Sequence, residues 1–396
     1  MTLRLDQFPD HRFCDVVIAG SHDAGIYDES IGGATRTQKL DIREQAVAGS
    51  RFFDVRVAVA RAPQPGRLAR VAQKVDQMRR PNAGYEHLDD GPTPKAYHAP
   101  SPGLLGMKTH KDAAGAAYQS PVVGAFGGEL DEILSDARAF VTENPSEFIF
   151  LKFAKCYGWE EIVVKVNDVL GDRGLFPRRN INTMRVSELA GHVIPIFPEN
   201  QRSILHQLPE GCQMAFYKEL FHKSGDKACC KAYDPTYQGL QYFGKYSNTR
   251  GVTWDPRPAA SAQKRADYNE KKQAKYLHVG AQSNPDIVGM MYWTATGYFQ
   301  DVLARDAKLD KMMARGGMDR LFQSHLREAI AIRADLVTTQ VDATSSTGHV
   351  DYSVWMPNIV MIDGVAKDKC DTVYGLNTLA KIHLDQFADD TSWHRE

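Results

Sequence analysis

The sequence predicts an α/β fold built on a parallel sheet, and three observations indicate it. Short apolar runs of strand length alternate with stretches of helical spacing along the 396 residues. Nine of these runs are strand candidates, against the eight strands of a closed α/β barrel. Polar residues capable of chemistry lie in these runs or at their C-terminal ends, where the active face of such a barrel is found.

The first two strand candidates enclose a helix. Residues 16–19 form a β-branched run that ends at Gly20. Residues 39–48 have helical character and end at Gly49, as a helix C-terminus commonly does. The run 51–60 follows directly and is the second strand candidate.

The next part of the chain gives weaker local signals. Residues 61–94 are polar and contain five prolines, which is typical of a surface insertion. Residues 97–99 form a short third strand candidate. Residues 100–122 are rich in Gly, Ala and Pro and are predicted to be a loop.

A stronger helix–strand–helix pattern follows. Residues 128–144 carry apolar side chains at helical spacing, and the pattern stops before Pro145. Residues 148–153 are an apolar strand candidate. Residues 159–170 form an amphipathic helix that ends at Gly171.

The second half of the chain continues the alternation less regularly, with a second insertion predicted at about 199–250, of which 229–250 is assigned to a long loop. Its strand candidates, of which the second is the weakest, are 192–197, 213–217, 251–255, 288–296 and 358–363. Its helix candidates are 263–276, 310–336 and 377–386.

Composition excludes several classes of protein. The chain is 43% apolar and 24% charged with a net charge of −1, which is ordinary for a globular protein with a large core. This balance gives no support for nucleic acid as a partner and argues against strong electrostatic docking on anionic membranes. No apolar run approaches the ~20 residues of a transmembrane helix. The N-terminus lacks the apolar core of a signal peptide, so we expect a cytoplasmic protein or export by a signal-independent route.

The cysteines do not indicate a metal site. The six cysteines include no C-x-x-C pair, so zinc-ribbon spacing is absent. Cys229 and Cys230 are adjacent in a polar stretch. They could serve redox sensing or metal binding, but free thiols in a reducing compartment are the favoured interpretation.

Two strands carry charged residues that suggest a site. The first ends in GSHDAG, residues 20–25, which presents His22 and Asp23 between two glycines. A hydrogen-bonded loop histidine is an equal alternative for His22 on this stretch alone. The second strand contains Asp54 and Arg56, which lie two residues apart and therefore face the same side. Buried charges are costly unless paired, so this face lines a polar site, or Arg56 forms a structural pair with Asp54.

Four further charged or titratable residues lie in strand candidates or at their ends. His98 lies in KAYHA, and Lys152 lies inside an apolar strand. Asp255 and Asp363 end late strand candidates. Lys152 could instead extend out of the barrel to a surface salt bridge, and other histidines compete with His98.

Set in order, these motifs resemble the catalytic X region of the phosphatidylinositol-specific phospholipases C, in particular the bacterial type. The resemblance is dense over about 13–155, thin after that and present again at 358–364. Ala24 is a departure, because the pattern usually has a hydroxyl residue there. The matching segments are GSHDAG at 20–25, FFDVR at 52–56, YHA at 97–99 and PSEFIFLKF at 145–153.

This resemblance implies a distorted TIM-type (β/α)8 barrel with surface insertions, formed as a single domain over 1–396. It implies a phospholipase C-type phosphodiesterase that cleaves phosphatidylinositol, or a related inositol lipid, to diacylglycerol and cyclic inositol phosphate. His22 would be the general base, His98 the general acid, and Arg56 would bind the phosphate. The enzyme would act as a monomer on a phospholipid at a membrane surface, as a peripheral protein.

Five acidic or basic residues are given supporting roles by the same resemblance. Asp363 would hydrogen-bond His22 and stabilise its imidazolium. Asp23 would assist His98 or Arg56 beside the leaving group. The residues expected to bind substrate are Asp54, Lys152 and Asp255.

No metal and no cofactor are expected. Calcium-dependent members of the family carry acidic residues where this chain has Arg56 and Lys152, and carboxylates are what calcium requires. An arginine supplies in fixed form the charge that calcium would supply.

Two other interpretations stay open. The chain could be another phosphodiesterase on the same barrel, of the glycerophosphodiesterase or sphingomyelinase D type, which rely on a metal held by carboxylates. It could also be a lipid-binding barrel without activity. The presence of His22, Arg56 and His98 together favours the enzyme.

Overall fold

The computed structural model describes residues 8–27, 37–60, 93–98, 107–111, 117–121, 125–220, 232–245, 286–294 and 357–387. The strands in chain order are β1 (Ile18–Ser21), β2 (Ser50–Val55), β3 (Val57–Ala60), β4 (Thr93–His98), β5 (Met107–Lys111), β6 (Ala117–Pro121), β7 (Ala125–Glu129), β8 (Ile149–Phe153), β9 (Val193–Pro198), β10 (Ala215–Glu219), β11 (Leu240–Lys245), β12 (Val288–Trp293) and β13 (Ile359–Ile362).

Eight of these strands close into a barrel. The order around it is β1, β2, β8, β9, β10, β11, β12 and β13, which returns to β1. All of these pairings are parallel. The C-terminal ends of the eight strands therefore meet at one rim. The predicted TIM-type α/β barrel is confirmed.

Alternation along the strands separates two apolar clusters. Phe52 belongs to the cluster centred on the barrel interior, while Phe53 belongs to the layer between the barrel and its helices. Inside the barrel the rings of Phe52 and Phe150 lie 5.7 Å apart. Phe13, which precedes β1, places its ring 4.8 Å from Phe150 and fills the N-terminal end. The opposite, C-terminal rim is left to polar side chains.

The described helices are α1 (Ile42–Ala48), α2 (Leu130–Glu143), α3 (Trp159–Leu170), α4 (Val186–Leu189) and α5 (Lys367–Phe387). Helix α1 begins with a capping box between Asp41 and Glu44. Helix α2 packs against both α1 and α3, and its six buried residues are those that the helical spacing predicted. Helix α3 has the predicted bounds and ends at Gly171, whose φ is 50°. No helix in the described parts of the chain combines the length and apolarity needed to cross a bilayer.

A second, smaller sheet lies beside the barrel. Strands β3, β4 and β7 form it with antiparallel pairing, and β5 pairs with β6 in a separate hairpin. The prediction of one strand over 51–60 was therefore wrong, since the chain leaves the barrel at Arg56 and continues as β3. The candidate at 97–99 belongs to β4 and not to the barrel, and the loop predicted at 100–122 contains β5 and β6.

The segment 199–250 is not only an insertion, because it supplies the barrel strands β10 and β11. The weakest candidate, 213–217, overlaps β10, and β11 falls in the predicted loop. Gln241 in β11 gains its partners from far away in sequence, since its main-chain N–H and C=O bond to the side chain of Asn182 at 2.8 and 2.7 Å. Local sequence patterns do not register such contacts.

The last helix begins at Lys367, ten residues before the predicted 377. Several predictions lie outside the described residues: the strand 251–255, the helices 263–276 and 310–336, and the pair Cys229 and Cys230. The predicted insertion 61–94 also lies outside them except for its last two residues, which begin β4.

Candidate active site

His22 lies at the C-terminal end of β1, where the barrel's own hydrogen bonds hold its backbone. Its N–H donates to the carbonyl of Ile362 in β13 at 3.1 Å. The side-chain amide of Gln38 donates to the carbonyls of His22 and Ile362 at 2.8 and 2.9 Å. The ring of Tyr292 stands edge-on to the imidazole, with centroids 5.6 Å apart. The orientation of His22 is therefore set by three strands.

Asp363 is the hydrogen-bond partner of His22 on one side of the ring. Its Oδ1 lies 2.9 Å from His22 Nδ1, and its carboxylate is almost fully buried. A carboxylate accepts only, so Nδ1 carries the proton in this contact. Nε2 then faces the mouth of the barrel with a lone pair when the ring is neutral, which is the form a general base requires.

Asp23 is the centre of the site. Its Oδ2 lies 3.4 Å from His22 Nε2 and 3.3 Å from His98 Nε2, and its Oδ1 lies 2.7 Å from Arg56 Nε. The backbone of Asp23 has a left-handed φ of 45°. The hydroxyl of Thr37 donates to its carbonyl at 2.8 Å. Two imidazoles and a guanidinium thus converge on one buried carboxylate.

Arg56 and His98 reach this point from the junction between the two sheets. Arg56 is the residue between β2 and β3, and its carbonyl accepts a hydrogen bond of 2.8 Å from the N–H of Tyr97. This bond holds the end of β4, and with it His98, next to Arg56. The Nδ1 of His98 is buried and has no hydrogen-bond partner among the described residues. His98 differs in this respect from His22, which has a carboxylate behind it.

Gly25 allows the small sheet to approach the turn that carries His22 and Asp23. Its carbonyl accepts a 3.0 Å hydrogen bond from the N–H of Gly128. A Cβ on Gly25 would collide with the Cβ of Ala96 and would lie 2.9 Å from Ile133 Cδ1. The second glycine of the GSHDAG motif is therefore needed for close packing of β4, the strand of His98.

Gly25→Ala is expected to lower the free energy of unfolding by about 1–3 kcal/mol, the usual cost of overpacking a filled site. Urea unfolding of the two proteins measures this difference. Gly375→Ala is the matched control, because a Cβ there meets nothing within 4 Å. It should leave stability unchanged or raise it, since alanine favours the helix. Equal losses in both variants would contradict the packing argument.

Asp54 and Lys152 extend the site along the barrel wall. They are direct neighbours in the pairing of β2 with β8, and Lys152 Nζ lies 3.2 Å from Asp54 Oδ1. Lys152 also faces the rings of Tyr217 and Tyr242, with Nζ 5.3 and 5.6 Å from their centroids. Arg56 Nη2 lies 4.0 Å from Asp54 Oδ2. Lys152 therefore points into the barrel and does not extend to its outer surface.

The charges around Asp23 shift the two histidines in opposite directions. Burial lowers the pKa of His22, but the carboxylates of Asp23 and Asp363 outweigh burial and raise it above 6.5. Burial lowers the pKa of His98 below 6.5, and the charges of Arg56 and His22 add to this although Asp23 opposes it. For Asp23, burial acts upward, yet Arg56 and the two histidines bring its pKa to about 2. A single shared proton on the pair is thus held mainly by His22.

Seven of the eight residues that the sequence predicted lie together at this rim: His22, Asp23, Asp54, Arg56, His98, Lys152 and Asp363. The eighth, Asp255, lies outside the described residues. The residues predicted for the site did not include Lys155, Tyr217 or Tyr242. The signal that could have identified the two tyrosines is the alternation along β10, which overlaps the weakest strand candidate, and along β11, which was predicted to be a loop.

A metal ion does not fit these residues as they are arranged. His22, Asp23 and Asp54 offer ligand atoms within 4.8 Å of one another. Both carboxylates, however, already have cationic partners, Arg56 at 2.7 Å from Asp23 and Lys152 at 3.2 Å from Asp54. Calcium would have to compete with these fixed cations for the same oxygens.

Together the described residues define a TIM-type barrel whose C-terminal mouth holds two histidines and an arginine around a buried aspartate. No family model matches the sequence, and no curated protein matches it. Solved structures of bacterial phospholipases C are similar. The phosphatidylinositol-specific phospholipase C of Listeria monocytogenes is 12% identical, with 94% of this chain and 96% of that chain covered and a TM-score of 0.40.

Two further structures show the same kind of likeness. A Staphylococcus aureus phosphatidylinositol-specific phospholipase C, in a structure concerned with its membrane binding, is 14% identical, with 94% and 99% coverage and a TM-score of 0.42. A calcium-dependent phosphoinositol-specific phospholipase C of a Pseudomonas species is 9% identical, with 72% and 84% coverage and a TM-score of 0.34. The function proposed below rests on the geometry of the site and not on these likenesses.

Proposed function

We propose that the protein is a metal-independent phosphodiesterase of the phospholipase C type that acts on phosphatidylinositol or a related inositol lipid. One observation carries the proposal. The Nε2 atoms of His22 and His98 lie within 3.4 Å of the same oxygen of Asp23, next to the guanidinium of Arg56. Two imidazoles and a cation around one point are what an in-line phosphoryl transfer needs when the nucleophile is a hydroxyl of the substrate itself.

An inositol lipid carries its own nucleophile. The 2-hydroxyl of the ring is adjacent to the phosphorus, so its attack is intramolecular and the entropic advantage comes with the substrate. The protein then has to remove one proton, supply another and stabilise the charge on phosphorus oxygens. A lipid without a hydroxyl in that position could not use this arrangement.

His22 would remove the proton from the 2-hydroxyl through Nε2. The hydrogen bond from Nδ1 to Asp363, 2.9 Å long, would stabilise the imidazolium that forms. The new bond joins the 2-oxygen to phosphorus, and the bond from phosphorus to the glycerol oxygen breaks. The products are diacylglycerol and a cyclic inositol phosphate.

His98 would donate its Nε2 proton to the departing glycerol oxygen, with Asp23 3.3 Å away to hold that proton in position. Arg56 would bind the non-bridging phosphate oxygens, where its planar fork suits two acceptors. Asp54 and Lys152 would bind hydroxyl groups of the head group. Asp255 keeps the substrate-binding role proposed for it from the sequence.

The test is incubation of the purified protein with vesicles of phosphatidylinositol in phosphatidylcholine, in excess chelator. Phosphorus NMR of the water-soluble fraction should show a cyclic inositol phosphate. If no product forms either with or without calcium, the protein acts on a lipid with another head group or binds lipid without cleaving it.

One observation favours a second candidate, a metal-dependent phosphodiesterase. It is the cluster of His22, Asp23 and Asp54, with ligand atoms within 4.8 Å. The ion pairs from Arg56 and Lys152 to these carboxylates count against it. Product that forms only after calcium is restored would favour this candidate over the one proposed.

The dependence of kcat/KM on pH should reflect the opposite shifts of the pKa values of His22 and His98. The reactive form needs His22 neutral and His98 protonated, which is one proton on the pair. We therefore expect a bell-shaped profile of kcat/KM, with the acidic limb below the ordinary 6.5, where His98 titrates, and the alkaline limb above it, where His22 titrates. Asp363→Asn removes an anion that raises the pKa of His22, so the alkaline limb should move to lower pH.

Asp172→Asn serves as the control for that experiment. Asp172 is an exposed partner of Arg138 on the outer surface, so both limbs of its profile should match those of the unmodified protein. An alkaline limb that does not move in Asp363→Asn would contradict the assignment of that limb to His22.

A further inference from the structure

Lys155 is a strained residue at the rim of the barrel that the mechanism above does not use. Among the described residues, the non-glycine positions with positive φ are Asp23 at 45° and Lys155 at 54°. Each lies two residues beyond the end of a barrel strand, β1 and β8, and both of these strands pair with β2. A lysine in this conformation is less common than an aspartate or asparagine.

The cause of the strain is a β-bulge. The N–H of Ala154 donates to the carbonyl of Val55 at 3.1 Å, and the N–H of Tyr157 donates to the carbonyl of Val57 at 2.9 Å. Between these two bonds the segment after β8 advances three residues, from 154 to 157, while the segment after β2 advances two, from 55 to 57. One residue after β8 is therefore extra, which defines a bulge. The N–H of Val57 that the irregularity would leave without a carbonyl partner donates to Cys156 Sγ at 3.3 Å.

The bulge lies opposite Arg56. The carbonyls that anchor it belong to Val55 and Val57, the two neighbours of Arg56 in sequence. Bulges beside active sites commonly redirect a side chain, and strained backbone of this kind points to a functional constraint. Here the redirected residue is Lys155, an exposed cation directly across from the arginine.

The pKa shifts of Lys155 and Asp23 are consistent with a Lys155 side chain directed toward the site. Burial of part of the side chain and the charge of Arg56 lower the pKa of Lys155, against the carboxylates of Asp54 and Asp23. In return Lys155 is one of the cations that keep the pKa of Asp23 at about 2. Lys155 therefore lies within electrostatic range of Arg56, Asp54 and Asp23.

We propose that Lys155 is a substrate-binding residue whose ammonium contacts a non-bridging oxygen of the phosphodiester beside Arg56. This inference rests on the proposed function. The charge count supports it, because Arg56 lies against Asp23 and near Asp54, while Lys152 is paired with Asp54. The transferred phosphoryl group carries charge on several oxygens and is served better by two cations on adjacent strands than by one.

The left-handed φ of Lys155 allows substitutions that remove its ammonium group without destabilising the fold. Asparagine and glycine both accept a left-handed φ more readily than lysine. Lys155→Asn and Lys155→Gly should therefore melt at the same temperature as the unmodified protein or higher. Their kcat/KM on phosphatidylinositol vesicles should fall about 10- to 100-fold, as expected for loss of a hydrogen bond to a charged group. Lys155→Arg should recover most of that loss.

Two soluble probes separate phosphate contact from a general structural effect. By calorimetry, Lys155→Asn should bind the monoanion dibutyl phosphate about 10- to 100-fold more weakly, while its affinity for uncharged myo-inositol stays the same. Lys218→Asn is the control, since Lys218 is an exposed lysine on β10, and neither affinity should change.

The outcomes are distinguishable. If the unmodified protein cleaves the lipid and Lys155→Asn matches it in kcat/KM and in dibutyl phosphate binding, this inference is wrong and the proposed function stands. Equal losses for dibutyl phosphate and myo-inositol would also overturn it, because they would show a structural role. If the unmodified protein neither binds dibutyl phosphate nor cleaves the lipid, the proposed function fails and this inference fails with it.

Discussion

Replacement of His22 by alanine is expected to lower the rate of cyclic phosphate formation by about 10²- to 10⁴-fold, the usual contribution of a positioned general base. The imidazole is the group whose Nε2 faces the site while Nδ1 is held 2.9 Å from Asp363. Without it, water would have to accept the proton of the substrate hydroxyl. The measurement is the initial rate on phosphatidylinositol vesicles in chelator, followed by phosphorus NMR.

His192→Ala is the matched control for His22→Ala. His192 immediately precedes β9, at the opposite end of the barrel, where its Nδ1 lies 2.8 Å from the carbonyl of Ala190. The rate should stay within a few-fold of the unmodified protein. Retention of the full rate in His22→Ala would remove the general base from the mechanism and with it the basis of the proposal.

The same substitution should alter stability in a pH-dependent way. Because folding raises the pKa of His22 above 6.5, its protonation stabilises the folded state fully below that pH, and the contribution is lost as the pH rises through the folded-state pKa. His22→Ala should therefore cost more free energy of unfolding near pH 5.5 than near pH 9. Urea unfolding at the two pH values measures the difference, and a cost that grows with pH would contradict the assigned shift.

Arg56→Lys is expected to lower kcat by about 10²- to 10³-fold, although it keeps the positive charge. The guanidinium spans two directions at once, with Nε 2.7 Å from Asp23 and Nη2 4.0 Å from Asp54. An ammonium is a point charge on a flexible stem and cannot hold two phosphate oxygens in a plane. Steady-state kinetics on the same vesicles give kcat and KM separately, and the loss should fall mainly on kcat.

Arg138→Lys is the corresponding control, because Arg138 is an exposed arginine paired with Asp172 on the outer surface. Its kinetics should be unchanged. A small effect of Arg56→Lys, or a rate in that variant that calcium restores, would mean that charge alone is needed at this position and that the fork has no role.

The residues of the candidate site were largely predictable because they lie in or directly after apolar runs of strand length. His22 and Asp363 follow apolar runs directly, and Asp54 and Arg56 lie two residues apart in another. Period-two alternation and the position of active faces in parallel barrels are local and topological rules, so they apply before any tertiary contact is known. Roles for these residues came from the resemblance of the motifs and stay proposals.

The barrel strand β11 escaped prediction for a physical reason. In β11, Gln241 is completely buried and Gly244 interrupts the apolar pattern. Gln241 is satisfied by the side chain of Asn182, 59 residues earlier in the chain. Propensity and periodicity measure only what a segment does with its neighbours in sequence, and here a distant partner stabilises a polar strand.

Local periodicity and end signals such as Gly171 were sufficient to predict the fold class, the bounds of α3 and the apolar runs that precede His22 and Asp363. The packed structure alone shows that His98 comes from a second sheet, that Gly25 lets that sheet approach, and that Lys155 has a left-handed φ at a bulge opposite Arg56. These features arise where separate segments meet, and the energy of such contacts belongs to the pair of segments and not to either one alone.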